Sequence, residues 1–139
     1  MGKVLVAARI ENIGDLHGLD QGTIAPEAVR TVTLTDALID TGATGLSMPA
    51  SLLAGLGLKY LRPRTARTSG GEMQVRLFGT VRLTIQGRDY PTDVTELPDG
   101  CPVLIGQIPL EAMDFVVDMT KHRLIGNPEH AGEHVIELY

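Results

Sequence analysis

Hydrophobic and polar positions alternate with a period of two along most of the chain. Val4, Val6, Ala8 and Ile10 form the first such run, the pattern of a half-buried strand. Val29 to Ile39 is rich in Val, Thr, Leu and Ile without a helical period, and predicts a strand pair or one bent strand that ends at Asp40. Met73, Val75 and Leu77 alternate, then Val81, Leu83 and Ile85 do so, with Gly79 between the runs marking a turn or bulge. Ser69-Gly70-Gly71-Glu72 and Gln86-Gly87-Arg88-Asp89 read as hairpin tips, because glycine accepts positive φ. Tyr90 to Leu97 returns as another strand. Pro102 to Ile105 is a brief apolar strand, Phe115 to Asp118 and Arg123 to Ile125 flank a hairpin, and Val135, Ile136 and Leu138 predict a terminal strand.

Helical pattern is scarce. Ser47 as cap, Pro49 in a first turn and Gly55 or Gly57 as the stop predict one short helix, and Pro109 to Met113 predicts a single turn. Asn12 to Glu27 mixes glycines, acids and Pro26 without either period and reads as a surface loop. Short strands, frequent turns and one or two short helices make an all-β chain, a closed-up barrel or sandwich. The lack of long amphipathic helices excludes a parallel α/β fold.

The length of 139 residues fits one domain over 1–139, and 43% hydrophobic with 21% charged residues is ordinary globular composition. Aromatics make up only 4%, so the core falls to aliphatic side chains and Met. The only cysteine, Cys101, has no intrachain disulfide partner, and no stretch has the length or character of a signal peptide or membrane span, so the expected location is cytoplasmic. A net charge of −5 argues against a nucleic-acid binder. The charge is uneven: Lys59 to Thr92 carries seven basic residues against Glu72 and Asp89. Such runs are usually solvated strand faces; the sharper alternative has Arg62, Arg64 and Arg67 at a cleft mouth that favours acidic peptides.

The chemistry concentrates at Ala37-Leu38-Ile39-Asp40-Thr41-Gly42-Ala43-Thr44, an apolar strand running into Asp-Thr-Gly. Later, Val103-Leu104-Ile105-Gly106 is another apolar strand that ends in glycine before a short helix, and Gly70-Gly71 lies between the two in a hairpin. Taken singly, Asp40 reads as a turn-forming Asx residue. Taken together and in this order, the three features closely resemble the retropepsin-like aspartic peptidases, over most of Val29 to Ile125.

That resemblance implies a homodimer acting on a peptide or protein substrate, with no cofactor and no metal. Two carboxylates sharing one proton can deprotonate water and hydrogen-bond the scissile carbonyl together. The chain supplies one Asp-Thr-Gly, so the second Asp40 must come from a second subunit across a two-fold axis. By resemblance Thr41 would hydrogen-bond to the partner loop, and Gly42 would let the backbone pass close to the carboxylates. Ala43, Thr44 and Ile105 would meet substrate, and Gly70 and Gly71 would form a flap that opens and closes over it. Retroviral members commonly carry Asp and Arg where this chain has Thr44 and Gln107, so a charge pair near the dimer contact is missing with both partners gone.

Three rivals remain. A non-catalytic peptide-binding dimer on the same fold is opposed by the intact Asp40-Thr41-Gly42. His130-Ala131-Gly132-Glu133-His134 matches a zinc-peptidase pattern, but Pro128 and Gly132 oppose the helix it needs, so both histidines read as surface residues. Cys101 lacks the His and Asn of a thiol nucleophile and reads as a packed side chain.

Overall fold

A computed structural model describes residues 3–138. The chain is mostly strand, in the order β1 (Leu5–Asn12), α1 (Ile13–Asp20), β2 (Thr31–Ile39), β3 (Leu46–Pro49), α2 (Ala50–Ala54), β4 (Lys59–Thr68), β5 (Gly71–Ile85), β6 (Arg88–Leu97), β7 (Leu104–Ile105), α3 (Gln107–Ala112), β8 (Phe115–Asp118) and β9 (Arg123–Gly126). Seven strands hydrogen-bond in the order β1-β2-β7-β3-β6-β5-β4, and β1 also pairs with β5, which closes the sheet on itself. Strand β4 lies outside that closure as a partner of β5 alone, while β8 and β9 form a separate two-stranded sheet. No helix among the described residues is long and apolar enough to cross a membrane.

Alternation sets the core. Val4, Val6, Ala8 and Ile10 all point inward, and Ile10, Leu46, Met48, Leu83, Ile85, Val94 and Ile105 are fully buried in one aliphatic cluster. The single long β5 joins the two alternating runs, and its register against β6 shifts between Phe78 and Val81, so Gly79 sits in a bulge.

Several local expectations are corrected. Asn12 to Glu27 is not a plain loop: it holds α1 and a 3-10 turn over Pro26–Ala28. No side chain of α1 is fully buried, so no apolar stripe announces it. Its hold is polar instead: the Asn12 side chain accepts from the Asp15 N–H at 3.0 Å, and Asp15 accepts two guanidinium bonds from Arg30 at 2.9 and 3.0 Å. With α1 the described residues hold three α-helices instead of one or two. Ser47 is a strand residue and not a helix cap, because Leu46 and Met48 are buried on alternate positions and β3 pairs with both β6 and β7. The helix begins at Ala50, and its free Ser51 N–H is met at 2.8 Å by Asp99, far along the chain.

Helix α3 starts at Gln107, two residues earlier than expected. The first half of β4 carries no burial signal in the sequence: every residue from Lys59 to Thr65 is exposed, and pairing to β5 makes it a strand. Val135, Ile136 and Leu138 form no strand; they are exposed by 41%, 73% and 83%.

Candidate active site

Strand β2 ends at Ile39, and the chain turns at Asp40. The Asp40 N–H donates to the Ile105 carbonyl at 3.0 Å, continuing the parallel pairing of Leu38 with Leu104 and Ile39 with Ile105. The two glycine-ended apolar strands noted in the sequence therefore lie side by side. Within the turn, the Gly42 N–H donates to Asp40 Oδ1 at 3.0 Å and the Ala43 N–H to the Asp40 carbonyl at 3.0 Å. Asp40 is thus an Asx-turn residue, and that turn is what aims its carboxylate. The second carboxylate oxygen accepts no hydrogen bond among the described residues, and the side chain is half-buried.

The loop after Asp40 is clamped from below by the start of α3. The N–H groups of Gly106, Gln107 and Ile108 donate to the carbonyls of Gly45, Ala43 and Thr44, each at 2.9 Å. Two of these are first-turn helix donors that no intrahelical carbonyl can reach, so the loop and the helix end satisfy one another. Closeness demands glycine at 106: a Cβ there would stand 2.6 Å from the Ala43 oxygen and 2.7 Å from the Thr44 carbonyl carbon.

A cleft of about 440 Å³ opens beside this loop. Gly42 to Ser47 form one wall, Arg64 to Thr68 with Met73 and Val75 from the β4–β5 hairpin another, and Asp93 of β6 and Ile108 of α3 complete it. That volume suits a few residues of peptide.

The residues singled out in the sequence distribute as follows. Gly42, Ala43 and Thr44 line the cleft; Asp40 and Thr41 adjoin it without lining it. Thr41 is exposed, and its hydroxyl takes no hydrogen bond among the described residues. Gly70 and Gly71 form the exposed tip of the β4–β5 hairpin, beyond the cleft lining, with Gly71 at φ +111°. Ile105 is corrected: its side chain is completely buried, so substrate cannot reach it within the subunit, and it serves the site through the carbonyl that holds Asp40. Thr44 and Gln107 lie on facing backbone segments, and the Gln107 side chain turns to Glu111 at 2.7 Å. Of the three cleft-mouth arginines, Arg64 and Arg67 line the cleft and Arg62 does not.

His134 is exposed, as the surface reading expected, whereas His130 departs from it. His130 is half-buried, with Nδ1 2.6 Å from Asp114 and Nε2 2.9 Å from Glu137, while His134 Nε2 faces the Ala112 carbonyl. Both ring nitrogens of His130 are engaged, and the residues around it are a 3-10 turn and coil. Among the described residues, no three His, Cys, Asp or Glu side chains are grouped to hold a metal ion. Burial pushes the Asp114 carboxyl up, but hydrogen bonds from His130, the Val135 N–H and Asn127 outweigh it and hold the group down at about 2. The same contacts with Asp114 and Glu137 raise His130. Asp114 sits in the left-handed region at φ +59° and carried no sequence signal, while its partners His130 and Val135 stood out in the sequence for other reasons.

Comparison with curated proteins finds no match. The sequence model of the aspartyl protease family matches residues 28–108, which takes in β2, the Asp40 turn, the cleft walls and the Gly106 clamp. With more than half its length matched, and with the Asp40 loop seated on the Ile105-Gly106 strand end, the chain belongs to the retropepsin-like aspartyl protease family.

Proposed function

We propose that this chain, as a single domain, is one subunit of a homodimeric aspartic endopeptidase in which the two Asp40 carboxylates meet across a two-fold axis. The observation that carries the reading is Asp40 itself: a half-buried carboxylate at a strand end, aimed by the Gly42 N–H, with one oxygen open and a peptide-sized cleft beginning two residues on. A lone carboxylate in this position can accept a proton but cannot also donate one to the substrate carbonyl. A second Asp40 supplies that function.

In the reaction, the ionised carboxylate takes a proton from water as the oxygen attacks the scissile carbonyl carbon. The protonated carboxyl donates to the carbonyl oxygen and stabilises the charge developing there. The tetrahedral intermediate collapses as the C–N bond breaks and the departing nitrogen takes up a proton from the pair. The exposed, unengaged Thr41 hydroxyl is suited to a hydrogen bond with the partner's loop, and Gly70-Gly71 to a flap that closes over the cleft.

The experiment is peptide hydrolysis by wild type and by Asp40→Asn. The substitution keeps size and hydrogen bonding while removing the base, so hydrolysis drops by about a thousandfold or more with folding and dimerisation intact. A chelator leaves wild-type hydrolysis unchanged. Hydrolysis by Asp40→Asn at the wild-type rate contradicts the reading.

A further inference from the structure

We propose that Arg64 is a specificity-determining residue that places a positive charge in the substrate cleft and selects peptides with Asp or Glu near the scissile bond. This rests on the endopeptidase reading of the same cleft. Strand β4 carries Lys59, Arg62, Arg64 and Arg67 and no acid. Several other arginines are matched by carboxylates: Arg76 makes two bonds of 2.8 Å to Glu96, Arg30 binds Asp15 bidentately, and Arg9 and Arg82 share Glu11, while Arg88 is held by backbone carbonyls. On β4, Arg67 reaches Glu72 at 3.3 Å, with both side chains mostly in solvent. Arg64 lines the cleft and has no carboxylate partner among the described residues.

Location separates Arg64 from the general surface charge. It stands on a concave wall that faces the loop following Asp40, where an extended substrate would have to pass. A guanidinium presents a rigid fork of donors that matches a carboxylate, and the concave wall strengthens its field over that of a flat, solvated site. The acid in the cleft lining, Asp93, accepts from the Thr80 hydroxyl at 3.2 Å and forms no ion pair among the described residues, so it leaves the Arg64 guanidinium donors open to a substrate carboxylate. Arg62 lies outside the lining, and Arg67 already has Glu72.

The test is cleavage of a fluorogenic peptide library with Asp, Asn or Lys at each of four positions on either side of the bond, by wild type and Arg64→Glu. At one position or more, wild type prefers Asp over Asn by roughly tenfold, the scale of a charge-assisted hydrogen bond. Arg64→Glu reverses that preference toward Lys. Equal cleavage of Asp and Asn peptides at every position, a wild-type preference for Lys, or an Asp preference that persists in Arg64→Glu overturns the proposal and leaves the endopeptidase reading standing. Binding of the same peptides to Asp40→Asn, read by fluorescence anisotropy, measures the preference without turnover. Asp preference there that is reversed by adding Arg64→Glu supports the proposal, even if wild type cleaves nothing and the endopeptidase reading falls. Binding without preference overturns the proposal.

Discussion

Gly106 presses so closely on Ala43 that a methyl group added to it would stand 2.6 Å from the Ala43 carbonyl oxygen. Both neighbours are backbone, and the Gln107 N–H is bonded to that same oxygen at 2.9 Å, so the contact cannot relax by turning a side chain. Gly106→Ala must move the loop that aims Asp40. The expected cost is about 1–3 kcal/mol of stability, seen in denaturant unfolding. Peptide hydrolysis falls further than that loss explains at temperatures where the variant is folded. Unchanged stability and turnover would show that the loop and helix do not need this approach.

The Gly70-Gly71 tip is held by two bonds on one hydroxyl: Thr68 Oγ donates to the Gly71 carbonyl at 2.8 Å and accepts from the Gly70 N–H at 3.2 Å. At φ +111°, Gly71 occupies backbone space that a β-branched residue enters at a cost of about 1–3 kcal/mol. Gly71→Val therefore reshapes the tip. The melting temperature falls by roughly 3–15 °C, the shift that cost implies for a chain of this length, while kcat/KM for peptides falls roughly tenfold or more at temperatures where the variant is folded. A normal kcat/KM would assign the flap to another loop.

His130 and Asp114 tie the C-terminal segment to the body with opposite pH limits. Facing a carboxylate at each ring nitrogen, His130 must donate from both, which only its cation can do. Its folded value is raised above the usual 6.5, so its contribution is complete below 6.5 and is lost as pH rises through the folded value. Asp114 is depressed from 3.8 to about 2, so its contribution is present above 3.8 and is lost as pH falls toward 2. The Arg88 guanidinium also donates to the Met113, Asp114 and Gly132 carbonyls. Amide-exchange protection of Val135, whose N–H donates to Asp114 at 3.0 Å, is expected to peak between 3.8 and 6.5. In Asp114→Asn the high-pH decline should vanish. Protection that stays flat from acid to pH 8 in the wild type would remove the clasp.

What was legible in the sequence followed burial. Val4 through Ile10 declared a strand because alternate side chains enter the core, and Asp40 and Gly106 stood out because each ends an apolar strand. What was not legible is held by partners distant in sequence or by none in the core. Helix α1 rests on Asp15 and Arg30, α2 starts against Asp99, and β4 is an exposed ribbon that only β5 makes a strand. Ile105 misled for the opposite reason: it adjoins the site in sequence and pairing, yet its side chain belongs wholly to the core. In the tail, the apolar Val135, Ile136 and Leu138 suggested a strand that the subunit does not pair, while contacts that hold the segment converge on Asp114, whose burial no local pattern foretold.

The shared dyad is tested most directly by mixing subunits. Wild type is held at a fixed concentration, above that at which sedimentation shows dimer, and Asp40→Asn is added in increasing excess with time allowed for exchange. If each active centre needs two Asp40 residues, activity per wild-type subunit follows the wild-type fraction: roughly half at equal amounts and roughly a tenth at tenfold excess. Activity that stays constant across the titration, while sedimentation confirms mixed dimers, would mean that one Asp40 suffices and would contradict the account.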